Sequence, residues 1–399
     1  MSVSYWLDKT INAKSSDLGA TKKTCDIAIV GGGIAGFSVA YWLKKEDPSL
    51  NILLLEKATI GSGATGRNAG FITCGSVEHF NRLCERWGEK TALEMWRFSE
   101  KNLEYLREEI IADDSSLEFD ANGTFSLAST EAEFTELKHT AHLMAQRDIA
   151  VETLDEAAIR KRLGVANFVG GIKYMKDASI NPTKLLGKMA EKVQAFGQFE
   201  AIENCEVHDI QQTNAGTTLL LTQKYQIESQ VAVLTLNGYS ASLNKYFADK
   251  IYPTRGQIMV TEPTEKFMEG PCYANFVLDY FRQLTDGRVL IGGFRQLEKA
   301  TEVGYSDHTT DVIQSALYEF LQTYIPVLKD KKITHRWAGV MGFSFDGQPL
   351  IGALPEMPQV YFSGGFTGHG MGLAFNSGRT LVDLMYDRPI PSFVSAKRI

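Results

Sequence analysis

A glycine-rich turn between two short apolar runs constrains the fold of this chain more than any other part of its sequence. In the segment DIAIVGGGIAGF, the run 26–30 predicts a buried strand, and Gly31, Gly33 and Gly36 then fit the pattern G-x-G-x-x-G. A helical stretch follows the turn, and residues 51–55 predict a second buried strand. This order of strand, turn, helix and strand is typical of a dinucleotide-binding unit.

The residue types of this unit match the chemistry of a dinucleotide. Gly31 permits the tight turn, Gly33 lets the backbone approach a pyrophosphate, and Gly36 lets helix and strand pack closely. The N-terminus of the helix offers N–H groups and a partial positive charge to the phosphates. Glu56 closes the second strand, where it can accept hydrogen bonds from a ribose hydroxyl, and its charge would repel the 2′-phosphate of NADP.

Length and composition narrow the class of protein. With 399 residues the chain exceeds one compact core, so two domains are expected. A net charge of −7 disfavours nucleic acid or an anionic membrane as main partner. No signal peptide or membrane-spanning helix is predicted, and scattered cysteines without a CxxC pair favour a reducing, cytoplasmic location. The cysteines are Cys25, Cys74, Cys84, Cys205 and Cys272.

The loop GSGATGRNAG, residues 61–70, follows the acidic strand end after only four residues. Glycines and small residues let the chain fold closely around a ligand, and Arg67 can supply charge to a phosphate. A nicotinamide dehydrogenase usually continues into another helix at this point. A second phosphate-contacting loop therefore favours a longer and more deeply buried cofactor.

This loop, continued as GSGATGRNAGF, resembles the loop after the ribose acid in FAD-dependent amine and amino-acid oxidases of the D-amino-acid oxidase superfamily. Glycine oxidase, monomeric sarcosine oxidase and gamma-glutamylputrescine oxidase belong to that superfamily. The resemblance covers about residues 25–389 and implies the cofactor FAD. The motif SYW near the start and the segment YFRQLTDGRVLIGG are most similar to the gamma-glutamylputrescine oxidase branch.

Two later stretches resemble further flavin contacts of the family. ENCEVHDI carries a valine where the family holds the adenine through its backbone, and the strand from Val231 ends in Asn-Gly against the cofactor. GFTGHGMGLA resembles the C-terminal flavin motif, whose helix N-terminus directs positive charge at the N1–C2=O edge of the flavin. In this motif His369 is favoured as a hydrogen-bonding flavin neighbour over a proton carrier.

The resemblance implies the cofactor-binding residues Gly31, Gly33, Ile34, Ala35, Gly36, Glu56, Lys57, Ser62, Gly63, Ala64, Thr65, Arg67, Asn68, Ala69, Gly70, Val207, Asn237, Gly238, Gly365, Thr367, Gly368, His369, Gly370 and Met371. Some relatives attach FAD through a cysteine in the stretch that here reads HRWAGVMGFSFDG, where Met341 lies near that place. Because no cysteine is present there, the FAD is expected to be noncovalent.

The hairpin DYFRQLTDGRVLIGG resembles the family segment whose arginine binds the substrate carboxylate. The matching residue is Arg282, with Tyr280 beside it, and a guanidinium suits the role because it binds a carboxylate in bidentate fashion. A surface ion pair remains the alternative. The predicted catalytic residues are Arg282, Tyr280 and His369. No metal site is predicted, because His139 and His142 fit a solvated helix face.

The predicted fold is α/β, with a discontinuous Rossmann-like FAD-binding domain and a mixed-sheet α+β substrate domain that suits a sheet laid over the flavin. The predicted division assigns residues 1–101 to an N-terminal extension and the first part of the FAD-binding domain, 102–171 to the substrate domain, 172–242 to the FAD-binding domain, 243–333 to the second part of the substrate domain, and 334–399 to the C-terminal part of the FAD-binding domain.

The sequence thus predicts an FAD-dependent oxidoreductase acting on the CH–NH or CH–NH2 group of an amine or amino acid, gamma-glutamylputrescine-like or glycine-like. A hydride would pass to flavin N5, the imine would hydrolyse in water, and oxygen or another acceptor would take the electrons. An amine dehydrogenase that uses a quinone or carrier remains open, since RVLIGG lacks the lysine that activates oxygen in sarcosine oxidase. A flavin-dependent tRNA-modification enzyme and a noncatalytic FAD-binding subunit also remain open.

Overall fold

The structure, a computed structural model, describes residues 4–8, 22–75, 77–275 and 278–399. In chain order the strands are β1 (Lys22–Val30), β2 (Ile52–Leu55), β3 (Phe71–Ile72), β4 (Thr124–Ala128), β5 (Val151–Asp155), β6 (Gly170–Tyr174), β7 (Ala178–Ser179), β8 (Phe199–Ile202), β9 (Val207–Gln212), β10 (Thr218–Thr222), β11 (Gln226–Leu234), β12 (Ile251–Thr261), β13 (Cys272–Ala274), β14 (Asp279–Gln283), β15 (Val289–Gly292), β16 (Ile333–Ser344), β17 (Leu350–Leu354) and β18 (Met357–Gly364). The α-helices are α1 (Tyr5–Asp8), α2 (Ile34–Glu46), α3 (Val77–Trp87), α4 (Glu89–Tyr105), α5 (Glu131–Ala145), α6 (Glu156–Leu163), α7 (Pro182–Ala195), α8 (Ser240–Leu243), α9 (Asp311–Tyr324) and α10 (Gly370–Met385).

The first sheet has a parallel centre. Its order is β17-β18-β11-β1-β2-β8, with β10 and then β9 added to β11. Strands β18, β11, β1, β2 and β8 run parallel to one another, and the run ILLL of β2 is buried throughout. Strands buried on both faces need apolar residues at every position, which explains these continuous apolar runs. The carboxyl ends of β1, β2, β11 and β18 meet at one edge, where ligands bind in sheets of this type.

Helices α2 and α10 pack tightly against each other beside this sheet. A Cβ atom at Gly378 would lie 2.7 Å from the Cβ atom of Ser38, so the two helix backbones approach more closely than side chains would allow. The indole nitrogen of Trp42 in α2 donates a hydrogen bond of 3.0 Å to the carbonyl of Phe375 in α10. Helix α2 follows β1 and helix α10 follows β18, and these strands run in the same direction, so both helix N-termini lie at the same edge of the sheet.

The second sheet has the order β16-β12-β15-β14-β13-β4-β6-β5. Its pairs are antiparallel except for β13 with β4, and β12 pairs with β16 from Ile251 to Thr261. One face packs against α6 and α9 through an apolar cluster that includes Phe281 and Phe320. The turn at Asp286 and Gly287 joins β14 to β15, and Gly287 has the positive φ of +87° that glycine permits.

Segments of the two sheets alternate along the chain. The first sheet takes its strands from residues 22–55, 199–234 and 350–364, and the second from 124–174 and 251–344. The predicted α/β class, with a second mixed sheet, is confirmed. Strand β16 belongs to the second sheet, whereas the predicted boundary at residue 334 assigned it to the cofactor part. The five-part domain division stays a prediction.

Three further findings bear on the predicted class. Each of the five cysteines is a free thiol. Within the described ranges, no helix combines the length and apolar character needed to cross a bilayer. The described residues contain no group of three or more His, Cys, Asp or Glu side chains that could hold a metal ion.

Candidate functional site

A cavity of about 1490 Å³ is lined by residues of both sheets. Ordinary small-molecule pockets enclose roughly 300–1,000 Å³. The cavity therefore has room for a dinucleotide together with a smaller molecule. Its wall includes the carboxyl edge of the first sheet and one face of the second, where Tyr273 and Tyr280 contribute.

The turn after β1 is built so that only glycine fits. Gly31 has φ +118°, and a Cβ atom there would lie 2.8 Å from the carbonyl oxygen of Thr235. A Cβ atom at Gly36 would lie 2.0 Å from the carbonyl oxygen of Gly31. Gly33, Ile34 and Ala35 at the start of α2 line the cavity, where the helix N-terminus favours an anion, and the N–H of Ile34 donates to the hydroxyl of Thr65 (2.9 Å).

Glu56 lies directly after β2 and also lines the cavity. Its carboxylate accepts hydrogen bonds from the backbone N–H of Gly32 (2.8 Å) and of Ala58 (2.9 Å). Burial raises the pKa of this carboxyl group, while these two N–H groups oppose the rise. A buried acceptor fixed by backbone donors suits a ribose hydroxyl. Val207 lines the same part of the cavity, and the amine of Lys57 lies 3.9 Å from the ring centre of Tyr239.

The loop 61–70 folds along the cavity wall and is held by its own polar side chains. Arg67 donates through Nε to the carbonyl of Ser62 (2.8 Å) and through Nη1 to that of Ala338 (2.7 Å). The amide nitrogen of Asn68 donates to the carbonyl of Thr65 (2.7 Å). A Cβ atom at Gly63 would meet no atom within 4 Å, so this part of the loop borders open space. Arg67 thus shapes the loop in addition to any charge that it offers a phosphate.

The loop before α10 reaches the same cavity. Thr367 and Gly368 have positive φ angles of +50° and +83°, and the amide oxygen of Asn237 accepts a hydrogen bond of 3.0 Å from the backbone N–H of Gly365. His369 caps α10 without a side-chain hydrogen bond. A second helix N-terminus therefore opens on the cavity, which places partial positive charge at two separate points of its wall.

Most of the predicted site residues line this one cavity. They are Gly31, Gly33, Ile34, Ala35, Glu56, Lys57, Ser62, Gly63, Ala64, Thr65, Arg67, Asn68, Ala69, Val207, Asn237, Gly238, Tyr280, Thr367, Gly368, His369, Gly370 and Met371. Gly36, Gly70, Gly365 and Arg282 are not among the lining residues. The three glycines hold backbone close to the wall: a Cβ atom at Gly70, for example, would lie 2.2 Å from the carbonyl oxygen of Ile180.

Arg282 lies behind the wall, with only 3% of its surface exposed. Its Nη1 donates to the carbonyls of Gly70 (3.1 Å) and Ile180 (3.3 Å), and its guanidinium carbon lies 5.8 Å from the ring centre of Trp6. Burial lowers its pKa to about 10. Through Nη1 Arg282 anchors the end of loop 61–70, while its buried Nε has no hydrogen-bond partner among the described residues. Its predicted substrate role stays a prediction.

Sequence reasoning missed three arginines that do line the cavity: Arg82, Arg86 and Arg295, called here the arginine cluster. The guanidinium carbon of Arg295 lies 4.4 Å from the ring centre of Phe343, and Nη2 of Arg86 donates to the carbonyl of Phe345 (3.1 Å). The i, i+4 spacing of Arg82 and Arg86 was the one available signal, because it places both on one face of α3. No sequence pattern around Arg295 indicates that this residue lines a binding site.

His369 lies between the helix N-terminus and the arginine cluster. Burial is the main cause that lowers its pKa to about 4; the backbone of Thr367 opposes the shift, and the charges of Arg82 and Arg295 add to it. Its Nδ1 lies 3.0 Å from the carbonyl of Thr367, and its ring stacks on that of His79 with centres 4.5 Å apart. The imidazole is therefore neutral at physiological pH.

These features fit FAD. Two helix N-termini, a glycine turn without room for side chains, and a buried carboxylate acceptor lie along one elongated cavity. The first helix N-terminus and Glu56 suit the pyrophosphate and the adenosine ribose. The N-terminus of α10 suits the part of an isoalloxazine ring where negative charge develops on reduction.

Comparison with known proteins gives the same result. The family model described as DAO, FAD dependent oxidoreductase, matches residues 26–384. A probable oxidoreductase OrdL of Haemophilus influenzae is 25% identical over 90% of this chain and 82% of its own. Gamma-glutamylputrescine oxidoreductase of Escherichia coli is also 25% identical, over 91% of this chain and 84% of its own. Among solved structures, glycine oxidase from Geobacillus kaustophilus superposes with a TM-score of 0.78 at 21% identity, covering 93% of this chain and 96% of the other.

Proposed function

Because the chain belongs to the DAO family of FAD-dependent oxidoreductases, we propose that it oxidises the carbon–nitrogen bond of an amine or amino acid that also carries an anionic group. The donor is a CH–NH or CH–NH2 group, and the anion is bound by the arginine cluster. The names of the relatives, which include a gamma-glutamylputrescine oxidoreductase and a glycine oxidase, support a substrate of this kind.

The charge distribution of the cavity carries the proposal. The acidic residues of the described lining are Glu56, Glu203, Glu206 and Asp307. The first three belong to the β2 end, where Glu203 accepts a hydrogen bond of 2.6 Å from the backbone N–H of Ile60, and Asp307 lies 3.6 Å from Nη2 of Arg67. The α10 end instead has the arginine cluster and a neutral His369. Guanidinium groups bind a carboxylate in bidentate fashion, so this end suits a carboxylate better than the ammonium group of a plain polyamine.

Other residues at the α10 end have separate roles in the proposed oxidation. FAD, when bound, supplies a hydride acceptor for the substrate carbon. Aromatic side chains of Tyr252, Phe343 and Tyr280 line the same region and exclude water around the reacting carbon. Burial raises the pKa of the Tyr280 hydroxyl to about 12, so it stays protonated and can donate a hydrogen bond. The product imine then hydrolyses in water without a protein group.

Noncovalent attachment of FAD is part of the proposal. Among the cysteines, Cys205 is the one in the described lining, and it lies in the chain next to Glu206 and Val207 at the β2 end. Met341 lines the wall where some relatives carry the attaching cysteine. Acid precipitation of the yellow protein is expected to release the flavin into the supernatant, and flavin retained in the pellet would contradict noncovalent binding.

The substrate class is tested by anaerobic flavin bleaching. The purified holoenzyme is mixed with amino acids, with gamma-glutamyl amines and with plain polyamines, and loss of the visible flavin band is followed in a stopped-flow instrument. We expect bleaching by amines that carry a carboxylate and none by the polyamines. Bleaching by the polyamines alone would disprove the proposed role of the arginine cluster. Re-oxidation with oxygen or with a soluble quinone then distinguishes an oxidase from a dehydrogenase.

A further inference from the structure

The first described residues of the chain form part of the cofactor cavity. Chain termini are usually poorly ordered unless they are tied down. Here Ser4, Tyr5 and Trp6 are 0%, 7% and 1% exposed, and Leu7 lines the cavity. Residues 4–7 are called here the N-terminal segment. With this burial the segment is part of the protein core and occupies a defined position.

The N-terminal segment packs against the loop 61–70. The hydroxyl of Ser4 donates to the carbonyl of Gly66, and the indole nitrogen of Trp6 donates to the carbonyl of Asn68 at 2.7 Å. Between them, the indole nitrogen of Trp337 donates to the carbonyl of Arg67 at 2.9 Å. Three successive carbonyls of the loop are thus fixed from outside, two of them by the N-terminal segment.

Leu7 adds a packing contact to these hydrogen bonds. A Cβ atom at Gly66 would lie 2.9 Å from Cδ2 of Leu7, so the leucine side chain lies directly on the loop backbone. The other side of the same loop borders the cavity through Gly63, Ala64 and Thr65. The segment therefore packs against the loop backbone and, through Leu7, also reaches the cavity wall.

The N-terminal segment also connects the loop to the second sheet. The hydroxyl of Tyr5 bonds to the carboxylate of Asp286 in the β14–β15 turn, and its ring meets that of His335 in β16 edge-on, with centres 5.4 Å apart. Trp6 packs with Ile258 and Trp337 of that sheet in one apolar cluster. One short segment thus adds further contacts between loop 61–70 and the second sheet.

We propose that the N-terminal segment is a positioning element of the FAD site, which holds loop 61–70 in the shape that retains the cofactor. The proposal goes beyond the proposed substrate chemistry and depends only on FAD binding. Its key residue is Trp6, whose contact acts on FAD through the backbone of the loop. Weakening that contact is expected to loosen FAD binding more than it weakens the fold of the protein.

The test compares two tryptophan variants with a matched control. Trp6→Phe keeps an aromatic ring but removes the N–H donor to Asn68, and Trp337→Phe removes the donor to Arg67. Trp42→Phe is the control, because Trp42 is 8% exposed, donates to the carbonyl of Phe375 and does not line the cavity. Apoprotein of each variant is titrated with FAD, the dissociation constant is measured by flavin fluorescence, and thermal unfolding is followed with and without FAD.

Loss of one neutral hydrogen bond typically changes an equilibrium about three- to tenfold. We expect Trp6→Phe and Trp337→Phe each to raise the FAD dissociation constant at least about threefold, and to lower the gain in melting temperature that FAD confers. Trp42→Phe should lower the melting temperature of apoprotein and holoprotein equally and leave FAD affinity unchanged. A smaller rise for Trp6→Phe, or an equal rise for Trp42→Phe, would overturn the proposal.

Discussion

The two ends of the cavity are built by different means. At the β2 end, contacts come mainly from backbone: the turn at Gly31, the N–H groups of Gly32 and Ala58 around Glu56, and the start of α2. At the α10 end, contacts come from the side chains of Arg82, Arg86, Arg295 and the aromatic residues around them. Backbone contacts survive most side-chain changes, whereas a side-chain site changes with single substitutions. The first end is therefore suited to one fixed cofactor and the second to a selectable substrate.

The sharpest test of this contrast removes the charge of Arg295. Arg295→Met should lower kcat/KM for a carboxylate-bearing amine by about 30-fold or more, because the loss of one partner of a desolvated charge pair costs roughly 2–5 kcal/mol. Arg295→Lys should recover part of the activity, since an ammonium keeps the charge without the planar fork. Steady-state kinetics measures the change, with Arg388→Met, at an exposed arginine paired with Glu46 and Asp383, as control. A change in kcat/KM below threefold would show that Arg295 does not bind the substrate.

At the other end, Glu56→Gln should weaken FAD while affecting substrate recognition little. The substitution replaces charge-assisted hydrogen bonds worth roughly 1.5–3 kcal/mol, which corresponds to about 10- to 150-fold in the FAD dissociation constant. Fluorescence titration of apoprotein with FAD measures the effect. Glu200→Gln is the matched control, because Glu200 lies in neighbouring β8 and pairs with Lys23 away from the cavity lining. Unchanged FAD affinity in Glu56→Gln would show that Glu56 does not contact the ribose.

A substitution at Arg282 distinguishes two roles for this residue: anchoring loop 61–70, or binding the substrate carboxylate. Its donors bind the carbonyls of Gly70 and Ile180, so Arg282→Met should cost about 1–3 kcal/mol of unfolding free energy by leaving buried carbonyls unpaired. We expect kcat/KM of the FAD-saturated enzyme to change much less than in Arg295→Met. Urea unfolding and kinetics on the same preparations measure both quantities. The opposite ranking, with kinetics dominated by Arg282, would favour the carboxylate role that the sequence resemblance implies.

A pH-dependent effect is expected at His369. Its pKa is lowered by burial from 6.5 to about 4, so the unfolded chain binds a proton in a range where the folded chain does not. The contribution of the neutral imidazole to stability is fully present above pH 6.5 and is lost as the pH falls towards 4. His369→Gln should therefore lose roughly 2 kcal/mol less unfolding free energy than the parent between pH 7 and pH 5. Equal losses in denaturant titrations at the two pH values would contradict a neutral imidazole in the folded protein.

The difference between the two ends also explains what the sequence could predict. Gly31, Gly33, Gly36 and Glu56 lie within one local unit, and their spacing follows from backbone geometry alone. The arginine cluster combines α3 with a residue more than 200 positions later, and no local pattern records that contact. The opposite holds for Arg282. The family-like hairpin predicts that it binds substrate, whereas its side chain contacts the backbone of loop 61–70. Similarly, the motif SYW is visible in the sequence, but its packing against loop 61–70 depends on long-range contacts.

The discontinuity of the cavity has a consequence for the synthesis of the protein. Strand β1 pairs in parallel with β11, about 200 residues later, and the second helix N-terminus follows at Gly370. About 340 residues separate Gly31 from that helix, which corresponds to roughly 15–70 s of translation at about 5–20 residues per second. Strand β1 lacks its parallel partner β11 until residue 234 has been made, and α2 lacks its partner helix α10 until the last part of the chain. FAD can complete its contacts only on a nearly finished polypeptide, so cofactor loading is confined to the last stage of translation or to the period after release from the ribosome.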